Sequence, residues 1–164
     1  MVARNTQDTS LRLPVVVRIL IVDDDPSTLD VLAQVLARDG YECLVAEDGR
    51  TAMEIFGATE IAAALVDFEL PDLTGVQLLR EIKRLRPSVP VIVMTGNPSQ
   101  RLMFEASEAG AYTFLTKPID LTGLRRLVQK ASASRARYEV TYSRVEVKRS
   151  SVLVKWSRWI VGKE

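Results

Sequence analysis

Apolar runs of six to eight residues alternate along this chain with segments whose apolar positions recur every three or four residues. "VRILIV" (17–22) reads as a buried strand. Ser27 or Thr28 is placed to cap the helix that follows, which runs to about Arg38 with Leu29, Leu32, Ala33 and Leu36 on one face. Gly40 ends it. "YECLVA" (41–46) is a second strand, and "GRTAMEIFGA" (49–58) a short helix with Ala52, Ile55 and Phe56 inward. "IAAALVDF" (61–68) is the third strand. "TGVQLLREIKRLR" (74–86) turns Val76, Leu79, Ile82 and Leu85 inward and is stopped by Pro87. "VPVIVMT" (89–95), a helix over 99–110 closed by Gly110, "AYTFLTK" (111–117) and a helix from Leu121 to about Ser134, capped by Asp120, complete the pattern. Five such βα units predict an α/β fold, a doubly wound, five-stranded parallel sheet with helices on both faces. The strands are almost continuously apolar, as double coverage requires.

Composition narrows the class. With 164 residues, 47% hydrophobic and 26% charged, the chain suits one soluble domain with a full core and a short appendage. The total charge of +1 is unevenly spread. From Lys130 onward nine Lys or Arg face three Asp or Glu, a balance of +6 that leaves −5 on the rest. The single cysteine, Cys43, rules out an intrachain disulfide framework and suggests a reducing compartment. Val15–Val22 is interrupted by Arg18 and is far short of the ~20 apolar residues that span a bilayer. The first fourteen residues lack the apolar stretch and cleavage site of a signal peptide, so a cytoplasmic protein is expected. The chain contains no histidine, which excludes histidine as its own base, ligand or phosphocarrier.

In a parallel α/β sheet, ligands bind beyond the carboxyl ends of the strands. There the pattern puts Asp23, Asp24 and Asp25 after the first strand, Asp67 after the third, Thr95 and Gly96 after the fourth, and Lys117 and Pro118 after the fifth. Clustered carboxylates repel one another, and a hard divalent cation such as Mg²⁺ relieves that repulsion through oxygen ligands. The acidic run is therefore a metal seat. Asp67 can serve as a nucleophile toward phosphorus, giving an aspartyl phosphate. Lys117 and Mg²⁺ can neutralise the phosphoryl oxygens, Thr95 can donate its hydroxyl to one, and Gly96 leaves room for the group. Singly, each residue has a plainer reading as a cap, turn or surface residue; Asp25, before Pro26, also reads as no more than a cap. Their coincidence at four strand ends carries the argument.

Over residues 17–134 the chain resembles the receiver domain of two-component response regulators. "IVDDDP" resembles the family's acidic pair, at Asp23 and Asp24. "LVDFELPDLTG" resembles its phosphoacceptor loop, at Asp67, Pro71 and Gly75. "VIVMTG" carries its Thr at Thr95, and "FLTKP" its Lys-Pro at Lys117 and Pro118. The resemblance implies a flavodoxin-like fold and Mg²⁺ ligated by Asp24, Asp67 and the backbone carbonyl of Glu69, with Asp23 acting through water. It implies a cis Lys117–Pro118 bond, and a switch in which Thr95 moves toward phosphorylated Asp67 while Phe114, otherwise a core aromatic, fills the vacated space. Glu69 and Asn97 are the positions that tune loss of the phosphoryl group. The implied partners are a sensor histidine kinase or phosphotransfer protein as donor, a downstream protein target, and a second copy through the face formed by the fourth helix, fifth strand and fifth helix. Catalysis is confined to the chain's own phosphorylation and dephosphorylation, so a separate enzyme activity is not expected.

Residues 1–16 read as an N-terminal extension and 135–164 as a basic tail without a recognised output domain. The tail is too short for a winged helix and shows no helix-turn-helix pattern, so direct DNA binding is not expected. It contains Trp156 and Trp159. "VEVKRSSVLVKW" alternates like a hairpin, whereas 151–163 as a helix gathers Val152, Trp156, Trp159 and Ile160 opposite Lys155 and Arg158. The expectation is that the tail packs on its own domain or is loosely ordered, with partner docking or membrane contact as alternatives. Two other functions compete with the signalling switch. One is a Mg²⁺-dependent phosphatase of haloacid-dehalogenase type, using Asp23 and Asp25; the other is a degenerate receiver used only for docking.

Overall fold

The computed structural model describes residues 16–142. The strands are β1 (Arg18–Val22), β2 (Glu42–Ala46), β3 (Ala63–Asp67), β4 (Val91–Thr95) and β5 (Thr113–Thr116). They alternate with α1 (Pro26–Ala37), α2 (Gly49–Ala58), α3 (Gly75–Leu85), α4 (Gln100–Glu108) and α5 (Leu121–Tyr142). All strand pairs are parallel, in the order β2-β1-β3-β4-β5. This is the expected doubly wound sheet. The chain leaves β1 toward one edge and returns to β3 on its other side, which opens a crevice at the carboxyl ends of β1 and β3.

The alternation of each strand divides the core in two. Ile19 and Ile21 of β1, Leu65 of β3 and Ile92 and Met94 of β4 pack with Leu29, Leu32 and Leu36 of α1 and Leu124 and Val128 of α5. Leu20 and Val22, Ala64 and Val66, and Val91 and Val93 face the other way, onto Phe56 of α2, Leu78, Leu79 and Ile82 of α3 and Ala106 of α4. The central strands β3 and β4 are wholly buried, so each polar residue that ends them is carried into the interior.

Of the caps read for α1, the structure takes Asp25 and not Ser27 or Thr28. The Asp25 carboxylate accepts from the Ser27 and Thr28 backbone N–H groups at 3.1 and 3.2 Å and from the Thr28 hydroxyl at 2.7 Å. Pro26 explains this. With no N–H and a fixed φ it suits the first helical position, which makes the residue before it the cap. Asp120 receives the Thr122 and Gly123 N–H groups, as expected. Gly40 and Gly110 follow α1 and α4 with φ of 88° and 90°, left-handed values that favour glycine. Strands are one to three residues shorter than their apolar runs, and α5 continues eight residues past the expected end at Ser134. The readings of the tail over 145–156 and 151–163, with Trp156 and Trp159, lie outside the described residues, as do residues 1–15 of the extension.

Candidate functional site

Asp23 is the residue immediately after β1, and its backbone N–H donates to Ala46 O of β2 at 3.1 Å. The carboxylate is fully buried. Oδ1 accepts from the Asp25 N–H at 3.0 Å and Oδ2 from Lys117 Nζ at 2.7 Å. Asp67 is the last residue of β3 and is 5% exposed. Its Oδ1 lies 2.9 Å from the same Lys117 Nζ. One ammonium therefore spans two buried carboxylates brought from strands 44 residues apart. The Lys117 backbone N–H donates to Thr95 O at 2.8 Å, and the Lys117–Pro118 bond is cis, as the resemblance implied.

Asp24 is exposed, and its carboxylate accepts no hydrogen bond from the described residues. Oxygens of Asp23, Asp24 and Asp67 all lie within 4.8 Å of one another. Burial pushes the Asp67 carboxyl above its ordinary range. The Lys117 hydrogen bond opposes that push, and the charges of Asp23 and Asp24 add to it. Burial pulls the Lys117 ammonium down, yet its bonds to Asp23 and Asp67 outweigh this and hold it above the ordinary lysine value. Three carboxylates against one ammonium leave two excess negative charges in a half-enclosed cup. An all-oxygen set with that excess fits a hard divalent cation.

Thr95 ends β4, 3% exposed. Asp67 pairs with Met94, so Thr95 stands one residue further along the neighbouring strand. Its hydroxyl accepts from the Asn97 N–H at 3.1 Å. A Cβ on Gly96 would meet nothing within 4 Å, so that position is open space. Glu69 is exposed in the β3–α3 loop, bridged to Thr74. Phe114, in β5, is half-buried against the core shared by α2, α3 and α4. Asp25 is withdrawn from the cup, since both its oxygens serve the start of α1. This removes a carboxylate that the phosphatase alternative requires.

Two features went unread in the sequence. One is the direct ion pairing of Lys117 with Asp23 and Asp67, which no spacing along the chain encodes. The other is Asp72, whose carboxylate accepts the Gly49 and Arg50 N–H groups of α2, each at 2.9 Å. Beside Pro71 an Asp reads only as a turn residue.

A doubly wound α/β domain thus gathers buried carboxylate and hydroxyl groups and a part-buried ammonium at its strand ends, a set that could hold a divalent cation. Residues 19–129 match the response regulator receiver domain model. The receiver domain protein (CheY-like) from Methanospirillum hungatei JF-1 superposes with a TM-score of 0.73 at 31% identity, covering 76% of this chain and 99% of that one. The beryllofluoride-activated NtrC4 receiver domain dimer gives 0.69 at 30% identity, covering 72% and 98%. The DNA-binding transcriptional regulator NtrC of Rhizobium meliloti (strain 1021) is 36% identical over 115 residues, which are 70% of this chain and 24% of that protein. The chain belongs to the response regulator receiver domain family and is a phosphorelay response regulator module. It spans about a quarter of the length of the curated relatives it matches.

Proposed function

We propose that Asp67 accepts a phosphoryl group from a phosphohistidine on a sensor kinase or phosphotransfer protein. An Asp67 O–P bond forms as the donor's P–N bond breaks. Asp24, Asp67 and the Glu69 carbonyl would hold Mg²⁺, with Asp23 reaching it through water. When bound, the cation neutralises charge on the phosphoryl oxygens. Lys117 exchanges its contact with Asp67 Oδ1 for a phosphoryl oxygen while keeping Asp23 as its anchor. Thr95 turns its hydroxyl proton toward another phosphoryl oxygen, and Gly96 leaves the approach open. Phe114 then repacks, and Glu69 and Asn97 govern water's access for hydrolysis. The domain acts only on itself in this scheme.

The observation that carries this reading is the Lys117 ammonium shared by Asp23 and Asp67 at 2.7 and 2.9 Å, at the mouth of the crevice. The output surface is the face of α4, β5 and α5. Phe104 of α4 lies opposite the buried Leu102 and Ala106 and is 67% exposed, with Met103 and Tyr112 also exposed. Such a face suits a downstream protein target or a second copy, and the similar NtrC4 receiver domain is a dimer. Among the described residues no helix is long and apolar enough to cross a membrane; we place the domain in the cytoplasm, where its kinase partner would act.

Acetyl phosphate with Mg²⁺ should add one phosphoryl group by intact mass, and EDTA or Asp67→Asn should abolish it. Equal labelling of the Asn variant would overturn the assignment. Beryllofluoride should raise the sedimentation coefficient if the output is a dimer, and leave it unchanged if the target is another protein.

A further inference from the structure

The loop from Phe68 to Thr74 is closed at its neck and pinned at its tip. At the neck, the Gly75 N–H donates to Phe68 O at 2.7 Å, and Glu69 bridges Thr74. At the tip, Asp72 binds the start of α2, with Oδ1 taking the Gly49 N–H and Oδ2 the Arg50 N–H. Asp48 takes the third free donor of that helix, the Thr51 N–H, at 2.6 Å. Leu73 packs so closely on Gly49 that a Cβ there would lie 2.6 Å from its Cγ. The first turn of α2 is thus completed by two carboxylates of different origin. Asp48 is its own N-cap, and Asp72 is lent by the loop that carries Glu69.

We infer that Asp72 is a positioning residue. Clamped to α2, it fixes the loop so that the Glu69 carbonyl faces the cup, and so sets the affinity for Mg²⁺. The inference rests on the reading above that this carbonyl is a ligand. Carboxylate geometry is needed, because each oxygen meets one N–H. An Asn would keep one bond and oppose its NH₂ to the other donor. Without the clamp the loop shares its time with conformers that lack the third ligand, and apparent affinity falls by the competent fraction.

The test is isothermal titration of the full chain with MgCl₂, alongside thermal melts. Asp72→Ala should weaken the Mg²⁺ Kd by about tenfold and Asp72→Asn by about threefold. In acetyl phosphate labelling, Asp72→Ala should need more Mg²⁺ for half-maximal rate while reaching the wild-type plateau. Asp48→Ala is the control. It strips a cap from the same helix end without touching the loop, so it should lower the melting temperature comparably yet leave the Mg²⁺ Kd within about twofold. An unchanged Kd in Asp72→Ala, or an equal weakening in Asp48→Ala, overturns the inference while Mg²⁺ binding itself stands. Wild-type protein that binds no Mg²⁺ overturns the underlying reading and this inference with it.

Discussion

Gly75 opens α3, where exchange for alanine ordinarily helps a helix. Ala is favoured over Gly by about 1 kcal/mol at an interior helical position, and less at an end. Gly75 is not among the positive-φ glycines, so backbone conformation gives no reason to keep it. The reason is contact. A Cβ there would sit 2.3 Å from the backbone O of Asp67 and 2.9 Å from Phe68 Cα. An ordinary C···O contact is about 3.4 Å, so something must move by about 1 Å, and both obstacles are backbone atoms in a close-packed interior. Overpacking of that kind costs about 3 kcal/mol. After the helix-propensity gain, Gly75→Ala should be destabilised by about 2 kcal/mol, a fall in Tm of about 8 °C for a domain of this size. The displaced atoms belong to Asp67 and the start of its loop, so Mg²⁺ affinity should fall as well. Urea unfolding at fixed Mg²⁺ gives the first quantity and calorimetric titration the second. A Gly75→Ala variant at least as stable as the parent would show that helix propensity wins and that the close approach is not a constraint.

Asp67→Asn should melt higher than wild type in EDTA. Asp67 has a folded pKa above its unfolded one, so its ionised form weakens the fold at every pH above that folded value, and Asn retains an oxygen for Lys117; added Mg²⁺ should raise wild type more than the variant, and a lower melting point in EDTA refutes the sign. Lys117→Ala leaves Asp23 and Asp67 unpaired and should cost roughly 2 kcal/mol in metal-free buffer, less than a fully buried pair because Lys117 is 27% exposed. Its folded pKa is raised, so the stabilisation is whole below the unfolded lysine value and is lost only as pH rises through the folded one. The urea-unfolding difference from wild type should therefore be flat from about pH 6 to about pH 9. Burial pushes the Cys43 thiol up to about 11, so at about pH 8 its reaction with a disulfide reagent should be about a hundredfold slower than in urea-unfolded protein. Near-equal rates would mean that β2 opens readily.

The residues that the strand ends supply were legible because a parallel sheet converts short-range information into long-range proximity. Each apolar run declares where it ends, and the topology puts all ends on one side. Asp23, Asp67, Thr95 and Lys117 follow from that rule without any knowledge of their partners. What it cannot supply is the partner. That Lys117 bridges Asp23 and Asp67, or that Asp72 reaches α2, depends on contacts across 94, 50 and about 22 residues of chain, for which no periodicity exists. Element limits failed where stop signals were weak. Between Leu124 and Tyr142 there is neither Gly nor Pro, so nothing local ends α5 at Ser134. The cap of α1 stayed open between two hydroxyl residues and the aspartate that Pro26 designates, because all three are good cap residues within four positions.

The same bonds that hold the resting cup explain how its occupancy can reach a distant face. Thr95 Oγ1 accepts from the Asn97 N–H, and two residues further on Ser99 caps α4 by accepting from Leu102 N. A hydroxyl that turns its proton toward a phosphoryl group while keeping the Asn97 N–H draws the β4–α4 loop with it. The side of Gly96 on which a Cβ would stand is open, with no atom other than those of its chain neighbours within 4 Å of that point. On the other side of Thr95, the Lys117 N–H is tied to its carbonyl, so the end of β5 is held to the same residue. On the proposed reading, phosphorylation of Asp67 would act on α4 and β5 through one threonine. The exposed Phe104 rides on the α4 branch, where a partner that distinguishes the two states would have a large apolar side chain to read.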